Sequence, residues 1–401
     1  MEYINQSEPK KKTHIALWIM VQAVWLLSLI IVAVAAYLIA RPAHNNALIE
    51  AVRDMQDVIQ ENYYFYENDE SKLLNATLKG MAAGTGDDYA SYYSAEEYAE
   101  LQKQNEGSFV GIGILTQLND DGVVEIIDVY ADTPASEAGL LSGDILTAIN
   151  GVPYGGEALG DFLANVRAED GAENVITVLR DGNPLTFTIV AREVHTPYVA
   201  YRMLTDTIGY IHISSFHGKC VDETETALNE LKQLGMQELV LDLRDNLGGS
   251  LYDALDVADF FLPKDHVITS LRSRNEAEKK YYTEHDGMDI PIVLLVNGYS
   301  ASASELVSGA LKDYEAAYLI GTTTYGKGIV QSYFRIPETD GMLKITTEAY
   351  YTPNGICVHG TGIEPDEIVE LTEEGEKYSI ATLPFELDTQ LQAAIRYLES
   401  H

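Results

Sequence analysis

The sequence contains little cysteine and no recognisable metal-binding pattern. Its 401 residues include two cysteines, Cys220 and Cys357. Two are too few for a disulfide framework or a four-cysteine metal site, so they either form one bridge or are small buried apolar side chains. Because no histidine and glutamate residues follow the H-E-x-x-H spacing of zinc hydrolases, we expect neither a metal nor another cofactor.

Basic residues are also scarce. The chain has 26 Lys and Arg against 62 Asp and Glu, which gives a formal net charge of -36. A surface this negative repels nucleic acid, so nucleic acid is not expected as a partner. The 46% apolar and 22% charged content is typical of a globular protein, and the length allows two or three folded units.

The N-terminal region has a long run without charge, from Ile15 to Ala40, preceded by Lys10, Lys11 and Lys12. A bilayer core needs roughly 20 apolar residues, whereas the apolar part of a secretory signal needs about 7–15. We therefore predict a transmembrane helix at 15–40, with a cleaved signal as the alternative. The lysines place residues 1–14 in the cytoplasm and everything after Arg41 on the outer side of the cell membrane.

Four segments follow this run, and together they indicate a multidomain α/β protein. Residues 41–105 show apolar positions at helical spacing. Residues 106–193 consist of short β runs punctuated by glycine. Strands alternate with helices over 194–370, as in α/β layers. Residues 371–401 end in an amphipathic helix at 388–398.

The β segment contains "GIGI" followed by "DTPASEAGLLSGDILTAINGVPY" at 132–154. Together these resemble a PDZ domain. The resemblance implies that a peptide adds as an extra strand beside a helix at 156–167. It also implies that the peptide's terminal carboxylate binds the backbone amides of one loop, formed by Gly111, Ile112, Gly113 and Ile114. A β domain with a purely structural role is the alternative.

Three loops of the α/β segment each follow a strand. Gly248 and Gly249 follow a strand at 238–243, three alternate serines follow one at 292–296, and Lys327 follows one at 317–320. If these strands are parallel, their carboxyl ends lie on one edge of the sheet, where ligand sites form. We therefore expect the three loops to build one site.

The groups in these loops suit acyl transfer. A serine hydroxyl needs a nearby base to become a nucleophile. Lysine can supply that base if burial lowers its pKa from about 10.4, and Lys327 lies between Gly326 and Gly328, a setting that permits burial. Backbone amides at a helix N-terminus and in a Gly-Gly turn can stabilise the oxyanion.

The motifs "NGYSASASEL", "YGKGIVQ" and "DLRDNLGG", behind a PDZ-like segment, resemble those of the carboxyl-terminal processing peptidases, from about Leu74 to Pro365. These are membrane-linked or secreted serine proteases with a serine–lysine dyad. The resemblance implies a ClpP/crotonase-like protease core. It also implies a serine endopeptidase that recognises protein C-terminal tails.

Site residues follow from the same resemblance. It makes Ser302 the nucleophile, Lys327 the general base and Gln331 the group that orients the lysine. The oxyanion donors are the backbone amides of Ala303 and of Gly248 or Gly249. The chain departs from the family pattern at two positions, where Leu247 replaces a usual proline and Cys357 a usual polar residue.

Several neighbouring polar residues receive structural interpretations. Ser300 and Ser304 are expected to support the corner, and Arg244 to form an ion pair instead of a substrate clamp. The stretch "GDDY", 86–89, is interpreted as a solvated loop. The two histidines that could belong to a Ser/His/Asp triad are interpreted as edge or surface residues, namely His212 and His217.

Other functions remain open on the sequence. The chain is either a protease acting on proteins or peptides with free apolar C-termini, or a membrane-tethered PDZ adaptor with a silent core; a Ser/His esterase is a third alternative. By analogy, the helices at 47–66 and 388–398 suggest a homodimer.

Overall fold

The computed structural model describes residues 11–40, 46–66, 69–105, 107–119, 122–130 and 132–400. The chain divides into two units, Met1–Leu73 and Leu74–His401. Much of the predicted tail at 1–14 lies outside the described residues.

The first unit contains the helices α1, Lys11–Ala40, and α2, Asn46–Asn62. On α2, apolar side chains recur at helical spacing and are exposed: Leu48, Ile49, Val52, Met55 and Val58. Among the described residues, no helix combines the length and apolar character that crossing a bilayer requires. The transmembrane helix predicted at 15–40 thus rests on the sequence alone.

Three short elements precede the β segment: helix α3, Glu70–Ala83, strand β1, Ser91–Tyr93, and helix α4, Ala95–Asn105. The purely helical prediction for 41–105 was wrong at β1. A three-residue strand has no periodicity of its own, and β1 exists because it pairs with a strand some 250 residues further along the chain, at 342–344.

The β segment forms a small domain around its own apolar core. Its elements are β2, Ser108–Gly111; β3, Ile114–Leu118; β4, Val124–Val129; α5, Pro134–Ala138; β5, Ile145–Ile149; β6, Val152–Pro153; α6, Leu159–Leu163; β7, Glu173–Arg180; β8, Asn183–Val190; and β9, Arg192–His195. The sheet order is β3-β4-β5-β7-β8, while β2 pairs with β9. Strand β3 is therefore an edge strand, with one side unpaired in this sheet.

The α/β core follows, with these elements: β10, Val199–Met203; β11, Ile208–Ile213; α7, Cys220–Gln233; β12, Glu238–Asp242; α8, Leu251–Asp259; β13, Val267–Ser273; β14, Lys279–Tyr282; β15, Ile292–Val296; α9, Ala303–Asp313; β16, Tyr318–Gly321; β17, Ile329–Ile336; β18, Gly341–Tyr351; β19, Glu367–Ile368; and α10, Thr389–Ser400. The central sheet has the order β10-β11-β12-β15-β16-β19, parallel from β11 onward. A second, antiparallel sheet joins β1, β18, β13 and β14, with β17 also on β18.

Helices cover both faces of the central sheet. In β12, Leu239 and Leu241 pack with α7, α8 and α9, whereas Val240 packs with α10 on the other face. Successive strand side chains point to opposite faces, so a strand covered on both sides needs an unbroken apolar run. This is why "IVLLV" in β15 lacks polar alternation, and the α/β core predicted from the sequence is confirmed.

Helix α10 turns its apolar residues Leu391, Ala394 and Leu398 onto this sheet. These side chains are buried within the chain itself, which leaves no apolar face on α10 for a second copy. Of the two helices expected to support a homodimer, α2 keeps its apolar side chains exposed, and the homodimer stays a prediction.

Arg244 is fully buried and joins the end of β12 to α10. Its guanidinium contacts Asp242 Oδ2 at 2.6 Å and Asp388 Oδ1 at 2.8 Å. The structural ion pair expected for Arg244 is thereby confirmed. Both cysteines are free thiols, Cys220 buried and Cys357 partly buried, so the alternative of a disulfide is excluded.

Candidate active site

The three expected loops meet at the carboxyl edge of the central sheet. The strands β12, β15 and β16 are parallel neighbours, so their following loops converge. They border a cavity of about 650 Å³ whose lining includes Gly249, Ser302, Ala303, Lys327 and Gln331. The convergence of the three loops, which the sequence predicted, is therefore confirmed.

Ser302 occupies a strained corner between β15 and α9. Its φ is 55° and its ψ is -111°, a sparsely populated combination that costs a residue with a side chain about 1–3 kcal/mol. Two hydrogen bonds hold the corner: the Ser302 amide donates to Glu305 Oε2 at 2.9 Å, and the Tyr350 hydroxyl donates to the Ser302 carbonyl at 2.9 Å. This conformation places Ser302 at the N-terminus of α9.

The neighbouring serines have structural hydrogen bonds, as expected. The buried Ser300 hydroxyl donates to the Leu243 carbonyl at 2.7 Å, and the buried Ser304 hydroxyl donates to the Asn246 carbonyl at 2.8 Å. Both bonds join the serine corner to the loop after β12. Ser302 is the serine of the three that lines the cavity.

The Gly-Gly turn lies directly against the corner. A Cβ on Gly248, where φ is +103°, would lie 2.9 Å from the Ser302 Cβ, and one on Gly249, where φ is +147°, would collide with the Phe216 carbonyl. Neither position tolerates a side chain. The Gly248 amide donates to Asn246 Oδ1 at 2.8 Å, so its hydrogen is already used.

Two backbone amides at the cavity remain available for an oxyanion. Within the described ranges, neither the Gly249 amide nor the Ala303 amide donates a hydrogen bond, and both residues line the cavity. The Ala303 amide also sits at the N-terminus of α9, where the helix dipole favours negative charge. Of the two glycines left open by the sequence, Gly249 fits the oxyanion role.

Glu305 joins the serine corner to the lysine loop. Its side chain is fully buried and accepts four hydrogen bonds. Oε2 accepts from the amides of Ser302 and Lys327 at 2.9 and 2.8 Å, and Oε1 accepts from the Gly326 amide and the Thr324 hydroxyl at 2.7 and 2.6 Å. One carboxylate thus sets the spacing between the two loops.

Lys327 is half-buried beside the cavity, and its surroundings disfavour its charge. Burial lowers its pKa, repulsion from Lys344 lowers it further, and attraction to Glu305 acts in the opposite direction. The Nζ atom lies 4.5 Å from the centroid of the Tyr89 ring. In the described part of the chain it donates to neither Ser302 nor Gln331, so the predicted dyad is brought together without a direct hydrogen bond.

Gln331 lines the same cavity, but its amide is bonded elsewhere. Its Nε2 donates to the Thr346 hydroxyl at 3.2 Å, and that hydroxyl donates to Asp87 Oδ1 at 3.1 Å. Asp87 Oδ2 also accepts from the Thr346 amide at 2.8 Å.

The sequence predicted a solvated loop at 86–89, and this was wrong for Asp87 and Tyr89, whereas Gly86 and Asp88 are exposed as expected. Asp87 is anchored to β18, and Tyr89 packs on Lys327. No short motif could reveal this, because Asp87 and Thr346 are 259 residues apart.

The two histidines differ in position. His212 is partly buried at the end of β11, with Nε2 3.3 Å from the Arg244 carbonyl oxygen. His217 is partly buried and lines the cavity. Burial lowers the pKa of His217, and in the described ranges its ring nitrogens form no hydrogen bond with Ser302.

The expected peptide-binding loop lies at an edge of the β domain. Gly111 ends β2, Ile112 and Gly113 form the turn, and Ile114 begins the edge strand β3. Gly113 has φ +85°, and a Cβ there would collide with the Thr133 side chain. Among the described residues the Ile112 and Gly113 amides donate no hydrogen bond, so both can bind an anion.

Known protein families match both the α/β core and the β domain. The model of peptidase family S41 matches residues 207–369, and that of the PDZ domain matches residues 110–190. A carboxy-terminal-processing protease of Bartonella bacilliformis is 34% identical over 323 residues, which cover 78% of this chain and 73% of the relative.

Two further proteins are similar over most of the chain. A Staphylococcus aureus protein named as a CtpA-like serine protease is 29% identical over 378 residues, covering 91% of this chain and 75% of its own. A solved Bacteroides fragilis structure assigned to the S41 proteases covers 84% of this chain and 91% of its own, with 20% identity and a TM-score of 0.57. The latter shows a shared fold.

We predict that Glu305→Gln weakens both the fold and the activity. The amide NH2 of glutamine would face backbone amides that now donate to an oxygen, so the free energy of unfolding should fall by roughly 2 kcal/mol. The peptidase rate should fall too, because the serine and lysine loops lose their common acceptor. Urea denaturation and kcat measure the two effects. The exposed Glu338→Gln is the matched control, and equal behaviour of the two variants would contradict the role of Glu305.

Proposed function

Because this chain belongs to peptidase family S41 and is a serine-type protease, we propose that it cleaves through a Ser302–Lys327 dyad after capturing substrate C-terminal tails in its PDZ domain. The observation that carries the dyad is the shared acceptor Glu305, which binds the backbone amides of Ser302 and Lys327 with one oxygen. These two hydrogen bonds hold the backbones of Ser302 and Lys327 close together, and both residues line the cavity.

The acylation step uses the neutral form of Lys327. Its Nζ leaves the Tyr89 ring, accepts the proton of the Ser302 hydroxyl, and the oxygen attacks the scissile carbonyl carbon. The carbonyl oxygen becomes an oxyanion and receives the amide hydrogens of Ala303 and Gly249. As the tetrahedral intermediate collapses, the Lys327 ammonium returns the proton to the leaving amine, which leaves an ester on Ser302.

Deacylation reverses these roles with water as the nucleophile. Lys327 accepts a proton from water, hydroxide attacks the ester carbonyl, and the same two amides stabilise the second oxyanion. The Ser302 oxygen then leaves and recovers its proton from Lys327. No group beyond those lining the cavity is needed to balance protons in either step.

The PDZ domain supplies substrate recognition in this proposal. A peptide tail adds to the unpaired side of β3 and places its carboxylate on the Ile112 and Gly113 amides. The support is the edge position of β3 and the two available amides. We propose apolar C-terminal residues as the preferred tails, since β-addition leaves alternate side chains to fill pockets on the domain.

The membrane location is proposed from the sequence. The uncharged stretch from Ile15 to Ala40 and the three lysines before it place a single anchor at the cell membrane, with the protease outside the cytoplasm. The negative charge of the chain suits a hydrated domain held near, and not on, an anionic surface.

The dyad makes a prediction for the pH dependence of kcat/KM. Since only neutral Lys327 accepts a proton, activity should rise with pH through the Lys327 pKa, which burial places below the usual lysine value. Lys327→Arg should be inactive, because guanidinium keeps its proton. Measurement of kcat/KM on a fluorogenic peptide over a series of pH values gives the pH at which activity rises.

Three variants check the same assignment. Ser302→Ala should be folded and inactive, whereas Ser300→Ala should retain activity with lower stability, because its hydroxyl binds backbone. His217→Ala should leave the pH dependence of kcat/KM unchanged. A rise in activity at a pH of about 6.5 that is lost in His217→Ala would indicate a histidine base and exclude the dyad.

The PDZ proposal predicts that tail binding depends on a free carboxylate. Amidation of the C-terminus should weaken binding of a peptide to the full Ser302→Ala chain by roughly ten-fold or more, since the loop amides lose a charged acceptor. Fluorescence anisotropy with the acid and amide forms measures this. Equal binding by both forms would exclude the carboxylate loop while leaving the dyad untouched.

The anchor predicts a change in fractionation. The full chain should remain with membranes after alkaline carbonate washing, and a variant lacking 15–40 should be released. Release of the full chain by carbonate would contradict the anchor.

A further inference from the structure

The side chain of Gln331 lies at one end of a hydrogen-bond chain that starts at Asp87. The Asp87 carboxylate accepts from the Thr346 hydroxyl at 3.1 Å, and this hydroxyl accepts from Gln331 Nε2 at 3.2 Å. The Thr346 amide donates to the same carboxylate at 2.8 Å. Three elements are involved: the loop before β1, strand β18 and strand β17.

The direction of the hydrogen bonds from Gln331 to Asp87 is determined by the charge of Asp87. Burial acts to raise the pKa of Asp87, but hydrogen bonds from the amides of Thr346 and Tyr89 and from the Thr346 hydroxyl lower it overall, so its carboxylate is an acceptor. The single hydrogen of the Thr346 hydroxyl is used toward Asp87, which leaves that hydroxyl as an acceptor on its other side. The group of Gln331 that faces Thr346 must then be the NH2.

This arrangement frees the amide oxygen of Gln331. Among the described residues, Gln331 Oε1 accepts no hydrogen bond, and Gln331 lines the cavity together with Lys327. The register of β17 against β18 shifts between Val330 and Gln331, and β-bulges, which shift the register in this way, redirect side chains beside active sites. A lysine that moves off the Tyr89 ring needs an acceptor, and an amide oxygen is one.

We propose that Asp87 and Thr346 are positioning residues of the protease, which fix the Gln331 amide so that its oxygen is presented to Lys327. The inference rests on the proposed dyad. The oxygen and the NH2 of a glutamine amide have nearly the same size, so packing alone does not choose between the two amide orientations. An inverted amide would present NH2 to the lysine and supply no acceptor for it.

The loop 86–90 thereby contacts Lys327 directly and reaches Gln331 through Thr346. Tyr89, whose amide donates to Asp87 Oδ1 at 2.9 Å, places its ring against Lys327. Asp87 acts on Gln331 through Thr346. A loop without a motif of its own thus orders one side of the active site.

The experiment compares two threonines on one strand of the full-length protein. Thr346→Val removes the hydroxyl that receives Gln331, and kcat on a fluorogenic peptide should fall roughly 10- to 100-fold with little change in KM, because the base is misplaced. Thr346→Ser should restore the rate. The control is Thr347→Val, which removes a hydroxyl bonded to Ser332 at 2.7 Å and should leave kcat unchanged.

A double-mutant cycle separates positioning from a general structural role. If Thr346 acts through Gln331, Thr346→Val should cause no further loss in the Gln331→Ala background. Asp87→Asn provides a second variant if Thr346→Val fails to fold, and it should also be silent in that background. Losses that add, or a Thr346→Val rate within about two-fold of the parent, would overturn the inference.

One more variant distinguishes this failure from failure of the dyad. Lys327→Ala should be inactive. If it retains activity, the dyad itself is wrong. If it is inactive while the Thr346 and Gln331 losses add, the dyad stands and the positioning role of Asp87 and Thr346 is excluded.

Discussion

The candidate active site depends on one buried carboxylate that accepts four hydrogen bonds. Glu305 lies in the first turn of α9, and its two oxygens bind the amide of Ser302 on one side and the loop carrying Lys327 on the other. These bonds stabilise the positive φ of Ser302, a conformation that its own side chain disfavours. A buried charge is costly unless it is fully hydrogen-bonded, and here every bond to it also orders the site.

The central sheet brings the remaining groups to this carboxylate. Parallel strands β12, β15 and β16 end at one edge, and the hydroxyls of Ser300 and Ser304 bond the corner to the loop after β12. On the same edge, Arg244 joins that loop to α10 through Asp388. Removal of any one of these contacts therefore affects two segments, because each contact joins one loop to its neighbour.

Much of this arrangement could be predicted from local pattern. Continuous apolar runs indicated strands covered on both faces, and glycine, serine and lysine after three such strands indicated the site. Pattern could not decide between Gly248 and Gly249, since that choice depends on Asn246, which already binds one of the two amides. Nor could it assign Asp87, Tyr89 or β1, whose partners on β17 and β18 and at Lys327 are more than 200 residues away and contribute no local signal.

The charge state of Lys327 links these features to the proposed dyad. Burial and the positive charge of Lys344 lower the pKa of Lys327, whereas Glu305 raises it, and the net effect is a lowered pKa. The Tyr89 ring attracts the ammonium through its negative face and the neutral amine far less. In the proposed dyad, loss of the proton creates the base and weakens the contact that holds Nζ on the ring, so the form proposed to react with Ser302 is also the form that is free to approach it.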